Sequence, residues 1–418
     1  MIQDTPSLIA EIRNRFAHVD SCPFQGPRVF FENAGGALTL KSVVETSGVY
    51  AAIPDNQGRD NPASHALVDV INRAKADMAV FMNAPQGGQF FVGESGTELL
   101  FRLIRTACVN APQGAKVIGS SIEHPASRSA AQRWAGIAGL EYVNVQHDDA
   151  TGMVTAADYA AQMTPDVAVA TIVHASPVTG MGMDVAAISQ AIRAVAPDCF
   201  IIVDGIQHAA HGQLDLSAYN VDGYAISPYK VFSRHGFGVA WISGRMTDLP
   251  HDMLIDAPAG GWEFGTRDTG SYATMSDVVQ YFDWLGGEVS DAATPRDRIE
   301  AAGHAIHAYE THLTQSMIHG TGNLPGLHDM EHVTVLAGED NPAREGLVSI
   351  VVKGMPSAEV VTALNDQGIR THLRKADHYS GNVLTPLGLE DCIRISLCHY
   401  NTIGEVSQTL AAVQALAD

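Results

Sequence analysis

Residues 199–230 read CFIIVDGIQHAAHGQLDLSAYNVDGYAISPYK, and this stretch decides the fold. It holds two short apolar runs, Phe200–Asp204 and Gly223–Ile226, with a polar segment between them. The first run ends in a carboxylate, Asp204, and the second is followed four residues later by Lys230. Because ligands of open α/β sheets bind beyond the carboxyl ends of the strands, we expect chemistry at the edge where these two runs end.

The sequence on either side alternates short β-branched runs with longer amphipathic ones. Strands are predicted at Gln89–Val92, Lys116–Gly119, Leu140–Val145, Val167–Val173 and Gly238–Ile242, and helices at Glu98–Asn110, Ala126–Gly139, Thr155–Met163 and Val185–Ala196. This alternation predicts an α/β fold, with a mostly parallel sheet wrapped by helices.

After about Gly270 the pattern changes to a smaller α+β region. Helices are predicted at Ser271–Leu285, Ala293–Met317, Ala358–Gln367 and Thr402–Leu416, and strands at Leu347–Val352 and Ile393–Leu397. We therefore predict three segments: an N-terminal segment (1–25) that packs on the small domain, a large domain (26–270), and a small C-terminal domain with its linking helix (271–418).

The composition is that of an ordinary globular protein, with 418 residues, 46% hydrophobic residues and a formal net charge of −21. That surplus of carboxylates argues against nucleic acid and anionic membranes as partners. The five cysteines are scattered and form no C-x-x-C pair, so neither a disulfide framework nor a metal site is predicted. The N-terminus lacks a secretory pattern and no apolar run is long enough to span a bilayer, so a cytoplasmic location is expected.

Asp204 and Lys230 each allow two interpretations. An isolated aspartate after a strand is equally well explained as a helix cap or a turn residue, and an isolated lysine is usually a solvated surface residue. A buried carboxylate, however, is costly without a partner, and a desolvated lysine is a good nucleophile because burial lowers its pKa. Their positions at the ends of successive strands favour the second interpretation for both.

The motifs VDGIQ (203–207) and SPYK (227–230) resemble those of fold-type I pyridoxal-phosphate (PLP) enzymes of the class V aminotransferase family, which includes the cysteine desulfurases. The resemblance runs from FFENAGG at Phe30 to RISLCHYNT ending at Thr402. It implies a large PLP-binding domain with a smaller C-terminal domain. It also implies that Lys230 carries the cofactor as a Schiff base and that Asp204 holds its pyridine nitrogen.

The resemblance implies roles for further residues. Gln207 would contact the phenolic oxygen of the ring, and His124 in SIEHPAS would stack on the ring and move protons. The phosphate would be bound by Ser227 and Tyr229, together with Gly96 and Thr97, whose amides open a predicted helix. On the substrate side, Arg394 would bind the carboxylate and Asn33 would line the pocket. Thr266 would contact the phosphate across a homodimer with shared active sites.

The sequence departs from the family at three places. Tyr229 replaces the histidine that precedes the lysine in most desulfurases, and its hydroxyl would still reach the phosphate. Pro177 stands where the family has an asparagine, and a proline cannot donate a hydrogen bond. Desulfurases also need a mobile cysteine shortly before the carboxylate-binding arginine, and the corresponding segment, residues 371–384, contains none. Cys392 and Cys398 flank Arg394 on a predicted strand, where cysteines are usually inert. These observations argue against a desulfurase that forms a persulfide.

We therefore expect a PLP enzyme that acts at the Cα of a small amino acid, most simply an aminotransferase. The alternatives are a β-elimination lyase that releases sulfinate, selenium or sulfur without a catalytic cysteine and, third, an amino-acid epimerase. A protein that binds PLP without catalysis is disfavoured by the presence of Lys230, Asp204 and Arg394 together. A nicotinamide dehydrogenase is disfavoured because no G-x-G-x-x-G follows the first strand.

Overall fold

The protein is described by a computed structural model that covers residues 2–322 and 324–417. The strands in these ranges are β1 Ser21–Cys22, β2 Gly26–Pro27, β3 Val29–Phe30, β4 Gln89–Gly93, β5 Lys116–Ser120, β6 Glu141–Val145, β7 Val167–Val173, β8 Phe200–Asp204, β9 Gly223–Ile226, β10 Gly238–Ile242, β11 Gly320–Thr321, β12 Leu324–Pro325, β13 Val333–Val335, β14 Leu347–Val352, β15 Ile369–Arg370, β16 His372–Lys375 and β17 Asp391–Ser396.

The α-helices of the same ranges connect and cover these strands. They are α1 Pro6–Asn14, α2 Lys41–Ala51, α3 Pro62–Phe81, α4 Gly96–Val109, α5 Pro125–Ala138, α6 Ala156–Gln162, α7 Val185–Val195, α8 Leu216–Tyr219, α9 Gly244–Thr247, α10 Thr269–Val289, α11 Pro295–His319, α12 Ser357–Asp366, α13 Gly381–Leu384 and α14 Ile403–Ala417. Short 3₁₀ turns include Pro228–Lys230.

Seven of the described strands form one sheet in the order β4-β10-β9-β8-β7-β5-β6. Strands β9, β8, β7, β5 and β6 are mutually parallel, and β10 runs antiparallel to both of its neighbours, β9 and β4. Strands β8 and β9 are buried along almost their whole length, which suits apolar, β-branched sequences such as FIIVD. This seven-stranded sheet confirms the predicted α/β fold of the fold-type I PLP enzymes.

A second sheet lies in the C-terminal part of the chain and is antiparallel throughout. Its described strands have the order β13-β14-β17-β16. Helix α12 packs on β16 and β17, and the long helices α10 and α11 pack on each other. Near the N-terminus, β3 pairs in parallel with β15 in a two-stranded sheet. Glu32 then pairs with Ser396 of β17, and the amide of Ala37 donates to the carbonyl of Tyr229, so residues 29–37 contact both the four-stranded sheet and the segment after β9.

The predicted domain boundaries at residues 25 and 270 stay a prediction, and the outer ends of the predicted segments, Met1 and Asp418, lie outside the described residues. One contact bears on the N-terminal segment: Arg13 of α1 pairs with Glu405 of α14, at 3.2 Å. Among the described residues, no helix combines the length and the apolar character that crossing a membrane requires.

Candidate active site

Asp204 ends the central parallel strand β8, and its side chain is only 3% exposed. One carboxylate oxygen, Oδ1, accepts a hydrogen bond of 3.1 Å from the amide of Ile206. Burial raises the pKa of this carboxyl to about 6, and the amide hydrogen bond and the charge of Lys230 partly oppose that rise. A cationic N–H group beside Asp204 would favour the ionised carboxylate further.

Lys230 follows the neighbouring strand β9 and ends the 3₁₀ turn of residues 228–230. Its Nζ donates a hydrogen bond of 3.3 Å to Oε1 of Gln207. Burial lowers the pKa of Lys230 to about 7, and the positive charge of Arg394 acts in the same direction, while Asp204 opposes it. A substantial fraction of this amine is therefore neutral, and hence nucleophilic, at neutral pH.

His124 lies at the N-cap of α5, where its Nδ1 accepts a hydrogen bond of 3.2 Å from the amide of Ala126. This bond leaves the ring proton on Nε2 in the neutral imidazole. Burial lowers the pKa of His124 to about 3, and the charge of Lys230 adds to the effect. His124 is therefore a neutral ring beside Lys230, able to stack on a flat aromatic ligand.

The N-terminus of α4 forms the opposite end of the same pocket. The helix begins at Gly96, and the side chain of its N-cap, Ser95, accepts from the amide of Glu98. A Cβ at Gly96 would lie 2.5 Å from Oγ of Ser227 and 2.6 Å from Cδ1 of Ile206, so only glycine fits here. Free amides at a helix start, next to a serine hydroxyl, are suited to bind a phosphate.

One pocket collects most of the predicted cofactor residues. It is lined by Thr97, His124, Val173, Ala175, Pro177, Asp204, Ile206, Gln207, Ser227, Tyr229 and Lys230. Gly96 adjoins this pocket through its contacts with Ser227 and Ile206. The structure therefore brings together residues that are up to 133 positions apart in the chain, from Thr97 to Lys230.

Arg394 lies on β17 with 2% of its side chain exposed. Its Nη1 donates a hydrogen bond of 3.0 Å to the carbonyl of Pro177, a residue of the pocket wall. Pro177 thus cannot donate, as the sequence indicated, but its carbonyl orients the arginine. Burial lowers the pKa of Arg394 to about 9, with a further contribution from the charge of Arg374.

Four predicted site residues are not among those that line the pocket. Gly96 adjoins it and Arg394 contacts its wall at Pro177, whereas Asn33 and Thr266 have other surroundings. Asn33 is buried, and its Nδ2 donates to the carbonyl of Ser396 at 2.7 Å and to Oδ1 of Asn401 at 3.2 Å, while its Oδ1 accepts from Tyr400. Because the amide is engaged within the protein, these bonds argue against a direct substrate contact. Thr266 lines a separate recess that also contains Glu98 and Arg102, so its action across a dimer stays a prediction.

Three features of the site have no signal in the sequence. The first is His211, whose ring nitrogen Nε2 lies 3.4 Å from the side-chain nitrogen of Gln207. The second is Glu310, whose Oε2 lies 2.7 Å from Nδ1 of His211. Arg374 of β16 lies near the pocket, where its charge lowers the pKa values of Lys230 and His124. Glu310 and Arg374 each lie more than ninety residues in sequence from the site residue that they affect, so no local pattern reveals these contacts.

The cysteines near Arg394 are buried and inert. Burial raises the pKa of Cys392 to about 11 and places that of Cys398 well above its ordinary value. Such thiols are poor nucleophiles at neutral pH, since the thiolate is the reactive form.

The comparisons with known proteins agree with this geometry. The curated relatives include a nonribosomal peptide synthetase-like enzyme, fsqF, of Aspergillus fumigatus, which is 26% identical over 90% of this chain and 25% of its own length. They also include a cysteine desulfurase of Synechococcus elongatus, which is 24% identical over 98% of this chain and 63% of its own length. The chain therefore spans about a quarter of the length of the first protein and somewhat under two thirds of the length of the second.

Solved structures show the same fold. The apo cysteine desulfurase of Thermococcus onnurineus superimposes with a TM-score of 0.80 at 21% identity, over 93% of this chain and 94% of that one. The sequence model of the family described as Aminotransferase class-V matches residues 29–277 and 296–409. The chain belongs to the class V aminotransferase family, whose members are PLP-dependent transferases and lyases.

Proposed function

We propose that this protein is a PLP-dependent aminotransferase that acts at the Cα of a small amino acid. The observation that carries the proposal is the meeting, in one pocket, of a buried carboxylate, an amine with a pKa of about 7 and a neutral imidazole. Bound PLP supplies an electron-withdrawing ring that makes a bond at Cα of an attached amino acid easier to break.

The pocket fits that cofactor. Lys230 offers a nucleophilic amine, Asp204 a carboxylate for a protonated ring nitrogen, and Gln207 an amide beside the amine. At the far end, the glycine at position 96 leaves room next to Ser227 for a phosphate at the start of α4. Within the described residues, the lining combines these polar groups with the apolar walls of Val173 and Ala175.

The side chains have distinct tasks in the proposed reaction. Arg394 binds the substrate carboxylate and so fixes the orientation of the bonds at Cα. Lys230, once its amine is free, removes the proton from Cα and returns it to a neighbouring carbon. His124, neutral above a pH of about 3, packs on the ring rather than competing as a base. Asp204 keeps the ring nitrogen protonated throughout.

The two thiols that flank Arg394 are unreactive, and this separates the proposal from persulfide chemistry. No cysteine lies in residues 371–384, and both cysteines that flank Arg394 are buried with raised pKa values. β-Elimination without a thiol uses the same base and the same carboxylate site, so it is the outcome that the functional test must distinguish. Epimerisation requires a second base, on the opposite face of the substrate.

We also propose a homodimer with shared sites. The loop between α9 and α10 exposes apolar side chains, with Ile255 94% and Leu254 65% exposed. Exposed groups of this kind are suited to an interface. Thr266, on the same loop, would then reach the phosphate end of the partner's pocket. Mixing Lys230→Ala protomers with Thr266→Ala protomers should restore activity if the sites are shared, and should not if each site is made by one chain.

The test of the reaction is product analysis of the PLP-loaded protein with a panel of amino acids. Transamination predicts one 2-oxo acid per active site and conversion of the cofactor to pyridoxamine phosphate, followed by turnover when an oxo-acid acceptor is added. Release of pyruvate and ammonia together with the β-substituent as an anion, with the cofactor unchanged, would assign β-elimination instead. Release of alanine together with sulfur dioxide, selenium or sulfur would assign a lyase of the desulfinase or desulfurase type. Loss of chirality alone would assign epimerisation.

A further inference from the structure

Two arginines project from the same face of the four-stranded sheet. His372 of β16 lies directly opposite Arg394 of β17, and Arg374 is two residues further along β16. Because side chains two residues apart in a strand point to the same face, Arg374 and Arg394 are diagonal neighbours. Such neighbours are about 7–8 Å apart, a separation that one small ligand with two anionic groups can span.

Both guanidinium groups retain donors that no protein group accepts. Arg394 donates through Nη1 to the carbonyl of Pro177, and Arg374 donates through Nη2 to Oγ of Ser380. The Nε atoms of both arginines are buried and have no hydrogen-bond partner among the described residues. Glu32, whose charge reaches Arg394, is itself paired with Arg370 and His372. The charge of Asp377 also acts to raise the pKa of Arg374, but neither Arg374 nor Arg394 forms an ion pair with a carboxylate among the described residues.

Positive charge accumulates in this part of the pocket, although the chain as a whole carries a net charge of −21. The charge of Arg374 lowers the pKa values of Arg394, Lys230 and His124, while Asp204 is the carboxylate that acts on Lys230 in the opposite direction. Arg394 is buried and Arg374 is partly buried, and cations without a paired anion in such surroundings are costly, so the arrangement favours an anionic ligand.

Arg374 is held near the pocket by its own loop. Ser380, which accepts from Arg374, precedes α13, and Asn382 of α13 donates a hydrogen bond of 2.7 Å to the carbonyl of Ser121. The ring of Tyr379 lies 6.1 Å from that of His124. The loop is thus attached to the segment that carries His124, and this attachment fixes Arg374 close to the pocket.

We propose that Arg374 and Arg394 together select amino acids with a short anionic side chain, such as a carboxylate or a sulfinate. Arg394 binds the α-carboxylate and Arg374 binds the side-chain anion, each through the planar fork that guanidinium offers to oxyanions. This inference rests on the proposed function and narrows its substrate class. It places the residue that determines specificity on β16, in the segment that carries the mobile cysteine in the desulfurases.

The first test compares acidic substrates with their neutral counterparts. The PLP-loaded protein is titrated with L-aspartate and L-cysteine sulfinate, and with L-asparagine and L-cysteine, and the change in visible absorption gives apparent dissociation constants. We expect the acidic member of each pair to bind about 10- to 100-fold more tightly, since hydrogen bonds to charged groups have this strength. Tighter binding of only one of the two acids would show whether the site recognises a side-chain carboxylate or a side-chain sulfinate.

The variants Arg374→Met and Lys375→Met assign the effect to one side chain. Lys375 is exposed and neighbours Arg374 on β16, so its replacement removes one positive charge from the other face of the strand. Arg374→Met should abolish the preference, whereas Lys375→Met should retain it. Equal melting temperatures and equal PLP affinities of the variants would exclude misfolding as the cause.

A second measurement does not depend on catalysis. Calorimetric titration with succinate, which has two carboxylates and no amine, should give affinity at least tenfold above that for butyrate, and Arg374→Met should remove the difference. Equal binding of succinate and butyrate, or a preference for aspartate that survives Arg374→Met, would overturn the inference. A protein that takes up no PLP but prefers succinate would contradict the proposed function and leave the arginine pair supported.

Discussion

The cofactor side and the substrate side of the pocket are built differently. Asp204 and Lys230 follow adjacent strands of the seven-stranded sheet, and each has a hydrogen-bond partner within the same sheet region. Arg394 and Arg374 come from the four-stranded sheet and keep donors without partners in the described structure. The first side is complete before any substrate arrives, whereas the second is completed by the anions that it binds.

This comparison predicts two kinds of mutational effect. A change on the cofactor side should impair the reaction for every amino acid, because the same carboxylate and amine are used each time. A change on the substrate side should alter the Michaelis constant and the choice of amino acid while the cofactor stays bound.

The largest effect is expected for Asp204→Asn. The amide oxygen can still accept from the amide of Ile206, but the side chain loses the charge that keeps a ring nitrogen protonated. We expect the single-turnover rate to fall by about 10²- to 10⁴-fold with every amino acid. The exposed Asp248→Asn is a matched control and should have wild-type rates. A fall in the single-turnover rate for one amino acid alone would contradict the distinction between the cofactor side and the substrate side.

A smaller effect is expected for Arg394→Lys. The charge is kept, but the planar fork that binds a carboxylate and the bond to the carbonyl of Pro177 are lost. The Michaelis constant should rise about 10- to 100-fold while kcat changes less. Steady-state kinetics measures both constants, and the visible band of bound cofactor serves as the control. Loss of that band would show that Arg394 belongs to the cofactor side.

The pH dependence of cofactor uptake tests the environment of Lys230. Only the neutral amine reacts with an aldehyde, and burial lowers the pKa of Lys230 from its ordinary 10.5 to about 7. The neutral fraction therefore grows about tenfold per pH unit below 7 and levels off above it. Stopped-flow measurement of PLP binding between pH 5.5 and 9.5 should show this plateau. A rate that keeps rising to pH 9.5 would mean that the amine is solvated.

The smallest effect is expected for Asn382→Ala, which removes the bond of 2.7 Å to the carbonyl of Ser121. We expect the free energy of unfolding to fall by about 0.5–1.5 kcal/mol, and the Michaelis constant for the acidic substrate to rise several-fold. Denaturant melts and steady-state kinetics measure the two quantities. An unchanged Michaelis constant would mean that the loop of Ser380 and Asn382 does not position Arg374.

The two sides also differ in how far sequence could predict them. Strands β7, β8, β9 and β10 have the predicted bounds, because continuous apolar runs that end in polar residues mark strands buried on both faces of a sheet. Residues of the cofactor side directly follow such strands, so local motifs found them. Helices α2 and α3, which precede the first predicted strand of the sheet, had no assignment.

The substrate side depends on contacts that no local pattern reveals. The face shared by Arg374 and Arg394 follows from the register of β16 against β17, and the sequence analysis did not assign β16. The predicted role of Asn33 on the pocket wall stays a prediction, and its bonds to Ser396, Asn401 and Tyr400 are contacts that its residue type alone does not reveal. Long-range packing, rather than residue type, decides which polar group is free.

The most direct test of the account is to identify the residue that carries the cofactor. The PLP-loaded protein is reduced with borohydride, digested and examined by peptide mass spectrometry, beside Lys230→Ala treated in the same way. The account predicts a pyridoxyl group on Lys230 and no such adduct in the variant. An adduct on any of the other five lysines, or a protein that takes up no PLP at all, would contradict it.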